Sequence, residues 1–366
     1  MKYFNNTSWL FFDKIFKMGV GFFVIIYLTR YLGPERFGQL SYAQSFVSIF
    51  MAFSSFGIGA IVTREIVKNP KKNNTLLGTT FYLTMMASIV SSTLIVASSY
   101  LFLQDDLVTR LLVSILTFTL FFKNFNMIIE MYFRSKVILK YTVIISSAVF
   151  VISSIIKLSL IYFKAELVNF VYVSLAEVAL ICTGYIYIYS KQNLSILYWK
   201  FDKGIAKKFL KTAWPLMIVS VSVFLYIRTD QIMIKHMMGN EAVGNYAAAI
   251  RVSELFYFIP GIIVTSIFPK LVELNKNNRE EYFSLLEKIY RLVVWASIPV
   301  AVFMHVFSDL IIGVLYGEQY ILASNVLGIL SWGVVFASID AVSVKILYIE
   351  HYEKKYLYKY IESIKQ

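Results

Sequence analysis

The sequence predicts an all-α polytopic membrane protein built as two related helical bundles. Of its 366 residues, 58% are hydrophobic and only 16% charged, whereas soluble proteins carry about a quarter charged. The mean hydropathy is +0.67, and ten apolar segments come close to the roughly 20 residues a helix needs to cross a bilayer. The hexapeptide Gly33-Pro34-Glu35-Arg36-Phe37-Gly38 returns 206 residues later as Gly239-Asn240-Glu241-Ala242-Val243-Gly244. An outer-membrane barrel is excluded, because its strands alternate apolar and polar residues over about 10 positions.

The ten segments fall at about 9–29, 40–62, 76–103, 111–129, 141–163, 168–190, 213–234, 246–268, 289–307 and 321–347. The first carries Asp13, Lys14 and Lys17 and is followed by no A-x-A-like site, so it reads as a retained span rather than a cleaved signal. Between the first two spans, Gly33 and Gly38 are expected to permit a tight turn, and Glu35 to cap the helix that follows. Pro215 reads as the start of span 7. Pro260-Gly261 is expected to bend span 8.

The connectors alternate in charge. With the N-terminus inside, the inner connectors and tail hold 23 Lys and Arg and the outer ones only 5. That asymmetry places both termini in the cytoplasm. The longer inner connectors lie at 191–212 and 269–288. The first is expected to divide a six-helix bundle (1–190) from a second bundle (213–366). The second, with Glu280, Glu281, Glu287 and Lys288, is expected to be an amphipathic helix lying on the membrane. An even number of spans separates the two hexapeptides, which implies parallel repeats about an axis along the membrane normal. The second half has four segments against six, so it is expected to be short by two.

Several functions are excluded. Cys182 is the sole cysteine, and His236, His305 and His351 are far apart with no ligand spacing, so no metal or cofactor is expected. The basic residues are spread over short connectors beside anionic lipid, unlike the basic surface of a nucleic-acid-binding module. No outer connector exceeds about 20 residues, which leaves no soluble catalytic domain, and no enzyme activity is expected.

Twelve charges lie inside the spans: Lys14, Lys17, Lys123, Lys157, Arg228, Arg251 and Lys345, with Asp13, Glu177, Asp230, Glu254 and Asp340. Each costs roughly 2.5–3.5 kcal/mol at a helix centre facing lipid, so most must pair, snorkel or line a wet cavity. Asp13 and Lys17 are i,i+4 neighbours, and Arg251 and Glu254 are i,i+3 neighbours. Lys123, Lys157 and Arg228 lack an acid at helical spacing and divide evenly between cavity lining and structural pairing. The excess of two positive charges favours an anionic ligand.

The text L-G-P-E-R-F-G-Q-L-S-Y-A-Q-S-F with T-R-E-I, and Y-I-R-T-D-Q-I-M-I with M-G-N-E-A-V-G-N-Y-A-A-A-I-R-V-S-E-L, resembles bacterial polysaccharide-export flippases of the O-antigen and teichoic-acid type. These belong to the multidrug/oligosaccharidyl-lipid/polysaccharide exporter superfamily. L-Y-G-E-Q-Y-I-L-A-S-N-V-L-G-I-L at 315–330 fits more weakly. The resemblance implies two bundles around a central cavity, in the bacterial cytoplasmic membrane. It implies transfer of undecaprenyl-pyrophosphate-linked repeat units between leaflets by alternating access, with polymerase and chain-length proteins as further partners. Carried onto matching text, it points to Arg64, Arg228, Asp230, Arg251 and Glu254; Lys123 and Lys157 rest on the charge argument. The alternatives are an ion-coupled drug antiporter of the same superfamily, a membrane-embedded polymerase or acyltransferase, and an inactive truncated flippase.

Overall fold

A computed structural model describes residues 2–349, and the charged tail with His351 lies outside the described residues. The described chain is helical throughout: α1 Lys2–Ser55, α2 Gly59–Lys68, α3 Asn73–Phe102, α4 Leu107–Thr117, α5 Thr119–Ser135, α6 Lys140–Tyr162 and α7 Leu167–Lys191, followed by α8 Lys203–Met238, α9 Asn240–Glu254, α10 Phe258–Asn277, α11 Arg279–Val306, α12 Ser308–Tyr316, α13 Ile321–Leu330 and α14 Gly333–Ile349. Among the described residues seven helices are long and apolar enough to cross a membrane, or eight if the bent pair Glu318–Leu330 and Gly333–Ile346 is one span. One of these, Asp13–Lys68, carries the first two expected segments through a break at Gly33. The segment at 246–268 is shared between α9 and α10.

Glycine sets the main breaks. Gly33 (φ 73°, ψ 170°) and Gly239 (φ 88°, ψ −175°) adopt one conformation, in a region of backbone space essentially closed to side chains. Gly317 repeats it after α12 (φ 88°, ψ 174°). Helix starts are capped by short acids and amides that accept otherwise orphaned backbone N–H groups. Asp106 accepts from Thr109 at the start of α4, Asp202 from Ile205 at α8, and Asn278 from Glu281 at α11.

Three expectations about connectors need correction. The stretch 203–212 is not loop, because α8 begins at Lys203 and runs unbroken through Pro215 to Met238. Pro215 is therefore interior and removes one ladder hydrogen bond. Residues 269–288 form no separate surface helix; they are the ends of α10 and α11, which meet at Asn278. Span 8 is interrupted at Leu255–Tyr257, just before Pro260. Pro260 lies in the first turn of α10, where a missing N–H costs nothing.

The rest of the inner connector is docked. Lys200 N–H donates to the Asn74 carbonyl (3.2 Å) and Asp202 N–H to Thr79 Oγ1 (3.0 Å). Trp199 is buried against Phe81, Phe125 and Tyr189 and donates its indole N–H to the Tyr189 hydroxyl.

The chain divides into two compact units, Met1–Gly244 and Asn245–Gln366. Span 7 thus groups with the preceding six. The reason is that α8 is tied to α1, α2 and α4 along its length. At one end Lys208 pairs with Glu65 (3.0 Å); toward the other end Ser45 Oγ donates to Gln231 Oε1 (2.7 Å) in a buried contact, and one turn further Lys235 pairs with Asp106. The second unit has its own core, in which Tyr282, Leu286, Ile289 and Val293 of α11 pack with Val264 and Leu271 of α10 and Val342 of α14.

Candidate functional site

The interior of the first unit holds charge at membrane depth. Lys17 and Asp13 on α1 pair at 2.8 Å, and both reach α6: Lys17 donates to Ser146 Oγ (2.7 Å), and Asp13 accepts from Ser147 Oγ. On α7, Glu177 accepts from Lys157 of α6 (2.9 Å) and from Ser153 (2.7 Å). Lys157 therefore has an acid after all, supplied by the neighbouring helix rather than its own. Both partners are largely sequestered, at 17% and 19% side-chain exposure, so each neutralises a charge that bilayer or protein interior would penalise. Lys123 on α5 lies within electrostatic range of Glu177 but forms no ion pair with a described residue. Beside it, Asn124 donates to Ser54 and Ser88, and Asn126 to the Val178 carbonyl.

The remaining sequence candidates do not converge on these. Arg228 and Asp230 lie half-buried on α8; Arg228 forms no ion pair or hydrogen bond with a described residue, and Asp230 accepts from the Gln231 N–H (2.7 Å). Arg251 and Glu254 belong to α9, with Glu254 exposed and Arg251 near the buried Tyr316 of α12. Arg64 is exposed on α2, where it lines a cavity of about 650 Å³ with Lys68, Glu130 and Arg134. Next to it Glu65 accepts a hydrogen bond from Lys208 Nζ (3.0 Å).

The sequence reading missed a polar knot on the opposite side. Asp106 accepts from Lys235, from Asn240 Nδ2 (2.9 Å), from Thr109 through N–H and hydroxyl, and from Gln39 (3.4 Å). Lys235 also donates to Asn240 Oδ1 and lies over the Tyr42 ring at 5.0 Å. Burial alone would raise the Asp106 carboxyl, but these hydrogen bonds outweigh it and hold the group well below the ordinary range. The available signal was Asn240, the variable second residue of the repeated hexapeptide.

A family model described as Polysaccharide biosynthesis protein matches residues 4–275, well over half of the chain. The chain belongs to this family. A second model, MatE, matches residues 215–360. The probable low-salt glycan biosynthesis flippase Agl15 of Haloferax volcanii is 25% identical over 126 residues, 34% of this chain and 27% of that relative's length. Solved structures share the fold. A multidrug resistance MATE family transporter of the MOP superfamily, in an inward-facing conformation, has TM-score 0.62 at 12% identity, covering 91% of this chain and 84% of that one. A MOP superfamily transporter from Pyrococcus furiosus, described as having a binding pocket of reverse polarity, has TM-score 0.56 at 12% identity, covering 98% and 88%. The Polysaccharide biosynthesis protein family thus appears here on a MATE-like helical transporter fold.

Proposed function

We propose that the chain is a flippase that moves undecaprenyl-pyrophosphate-linked oligosaccharide repeat units from the cytoplasmic to the outer leaflet of the bacterial cytoplasmic membrane, for surface polysaccharide such as O-antigen, capsule or teichoic-acid-like polymer. Transfer proceeds by alternating access between two pseudo-symmetric halves, 1–190 and 213–366, without a covalent step. Both termini are cytoplasmic, and the polymerase and chain-length proteins of the same pathway act on the product.

The observation that carries this reading is the family match over residues 4–275. The charge distribution supports it. The acids Asp13 and Glu177 at membrane depth are already neutralised by lysines, while Lys123 and Arg228 form no ion pair with a described residue. A half-buried cation without an ion-pair partner, as Arg228 is, favours a phosphate or acidic sugar, since the interaction is stronger at reduced dielectric.

The second reading, an ion-coupled multidrug antiporter, is favoured by the MatE match over 215–360. It needs free acids at membrane depth to bind cationic drugs, and in the first unit Asp13 and Glu177 are paired with lysines while Asp230 accepts from the Gln231 N–H. Proteoliposomes separate the two readings: transfer of a lipid-linked repeat unit between leaflets supports the flippase, and cation-drug efflux without lipid transfer supports the antiporter.

A further inference from the structure

The cavity of about 650 Å³ lies between α2 and α5, and of its three cations only Arg64 is among the residues to which the resemblance points. Its walls are two helical stripes. On α2, Ala60, Arg64 and Lys68 recur at i,i+4; on α5, Met127, Glu130, Met131 and Arg134 recur at i,i+3 and i,i+4. Each stripe runs from apolar to cationic toward the basic end of its helix. Small residues on α2 leave the apolar end open.

The acids nearby offset only part of the charge of the three cations. Glu130 accepts a hydrogen bond from Tyr185 Oη (2.9 Å) of α7, and Glu65 is paired with Lys208. The side chains of Arg64, Lys68 and Arg134 form no ion pair or hydrogen bond with a described residue. Three cations against the one carboxylate of the wall, Glu130, leave the cleft with a positive excess, and the graded walls match an amphiphile with a phosphate head.

We propose that the groove between α2 and α5 binds a lipid with an anionic phosphate headgroup, its phosphate held by Arg64, Lys68 and Arg134 and its chain laid along Ala60, Met127 and Met131. Each removed charge is expected to weaken binding roughly fivefold, from about 1 kcal/mol per basic residue at an anionic surface. The site does not depend on the flippase reading; only its occupation by a polyprenyl diphosphate does.

The test is native mass spectrometry or thermal shift on the purified full chain in detergent, with added phosphatidylglycerol, polyprenyl diphosphate, phosphatidylcholine or inorganic pyrophosphate. All three cations are exposed, so the triple variant Arg64→Gln/Lys68→Gln/Arg134→Gln is expected to fold. Its control is Lys71→Gln/Lys72→Gln, which removes charge on the same side but outside the groove. The proposal predicts that the triple variant loses binding of the anionic lipids while the control keeps it. Preference for polyprenyl diphosphate would mark a substrate-entry site, and preference for phosphatidylglycerol a resident lipid; both support the groove. Equal binding of phosphatidylcholine, equal loss in the control, or inorganic pyrophosphate binding as tightly as lipid would overturn it. Because binding is read without transport, failure of the groove and failure of the flippase reading are distinguishable.

Discussion

Gly38 and Gly244 hold each other's turns in the same way. A Cβ on Gly38 would sit 1.8 Å from the Asn240 carbonyl oxygen, and a Cβ on Gly244 would sit 1.8 Å from the Pro34 carbonyl oxygen. Asn240 and Pro34 are the second residues of the two hexapeptides, so the contact is reciprocal, as an approximate two-fold relation between the repeats requires. The two copies of the motif thus touch each other directly.

Gly38→Ala and Gly244→Ala should each lower stability by about 2–3 kcal/mol or more, because the obstacle is backbone and cannot rotate aside. Gly19→Ala on α1, where an added Cβ meets nothing within 4 Å, should be neutral or stabilise by up to about 1 kcal/mol. Unfolding in detergent measures both. Equal behaviour of the three variants would show that the close contact is absent.

Gly33→Ala and Gly239→Ala act through a different cause. Their φ and ψ belong to a region open in practice to glycine alone, so each should cost about 1–3 kcal/mol from the backbone conformation alone. For Gly239, nothing lies within 4 Å of the added Cβ; a larger side chain there should therefore be no worse than alanine, a comparison the same unfolding assay resolves.

Lys157 and Glu177 are expected to behave as a pair. Lys157→Ala or Glu177→Ala alone should cost about 3–5 kcal/mol by stranding a sequestered charge. The double change to Met and Leu should recover most of that loss. A double-mutant cycle reads the coupling; additive costs would mean the two do not interact.

Stability should also carry an acid signature from Asp106. Its folded carboxyl is depressed, so its contribution is complete above the ordinary carboxylate value, about 3.9, and is lost as pH falls further toward its folded value. Melting temperature measured from pH 7 to 4 should be unaffected by this group and should decline below that, and Asp106→Asn should remove its part of the decline. A wild-type decline set in well above pH 5 would have to come from another group.

Much of this was legible in the sequence for physical reasons. Length and apolarity placed the spans, and Asp13–Lys17 could be paired because one helix fixes both positions. Gly33 was correctly read as a turn former. Gly38 was misassigned to the same role, since close approach to Asn240 depends on a residue about 200 positions away. Lys157–Glu177 and Asp106–Lys235 were hidden for that reason too: each joins different helices. Pro215 and Pro260 were misplaced because helix boundaries were drawn from hydropathy, which falls off before the helix of α8 does.

Arg228→Ala and Lys123→Ala should abolish transport while leaving membrane insertion and melting temperature nearly unchanged, since neither side chain pairs with a described residue. Export measured in cells lacking the native gene checks this. Wild-type export in both variants would remove these residues from the substrate path.

The most direct test of the flippase reading is leaflet exchange of a lipid-linked oligosaccharide in proteoliposomes, followed by accessibility of the sugar to an external lectin or glycosidase. The account predicts that sugar placed in one leaflet becomes accessible from the other only when the protein is present, and that Arg228→Ala abolishes this exchange. Sugar that stays in its original leaflet, with or without an imposed ion gradient, would contradict it.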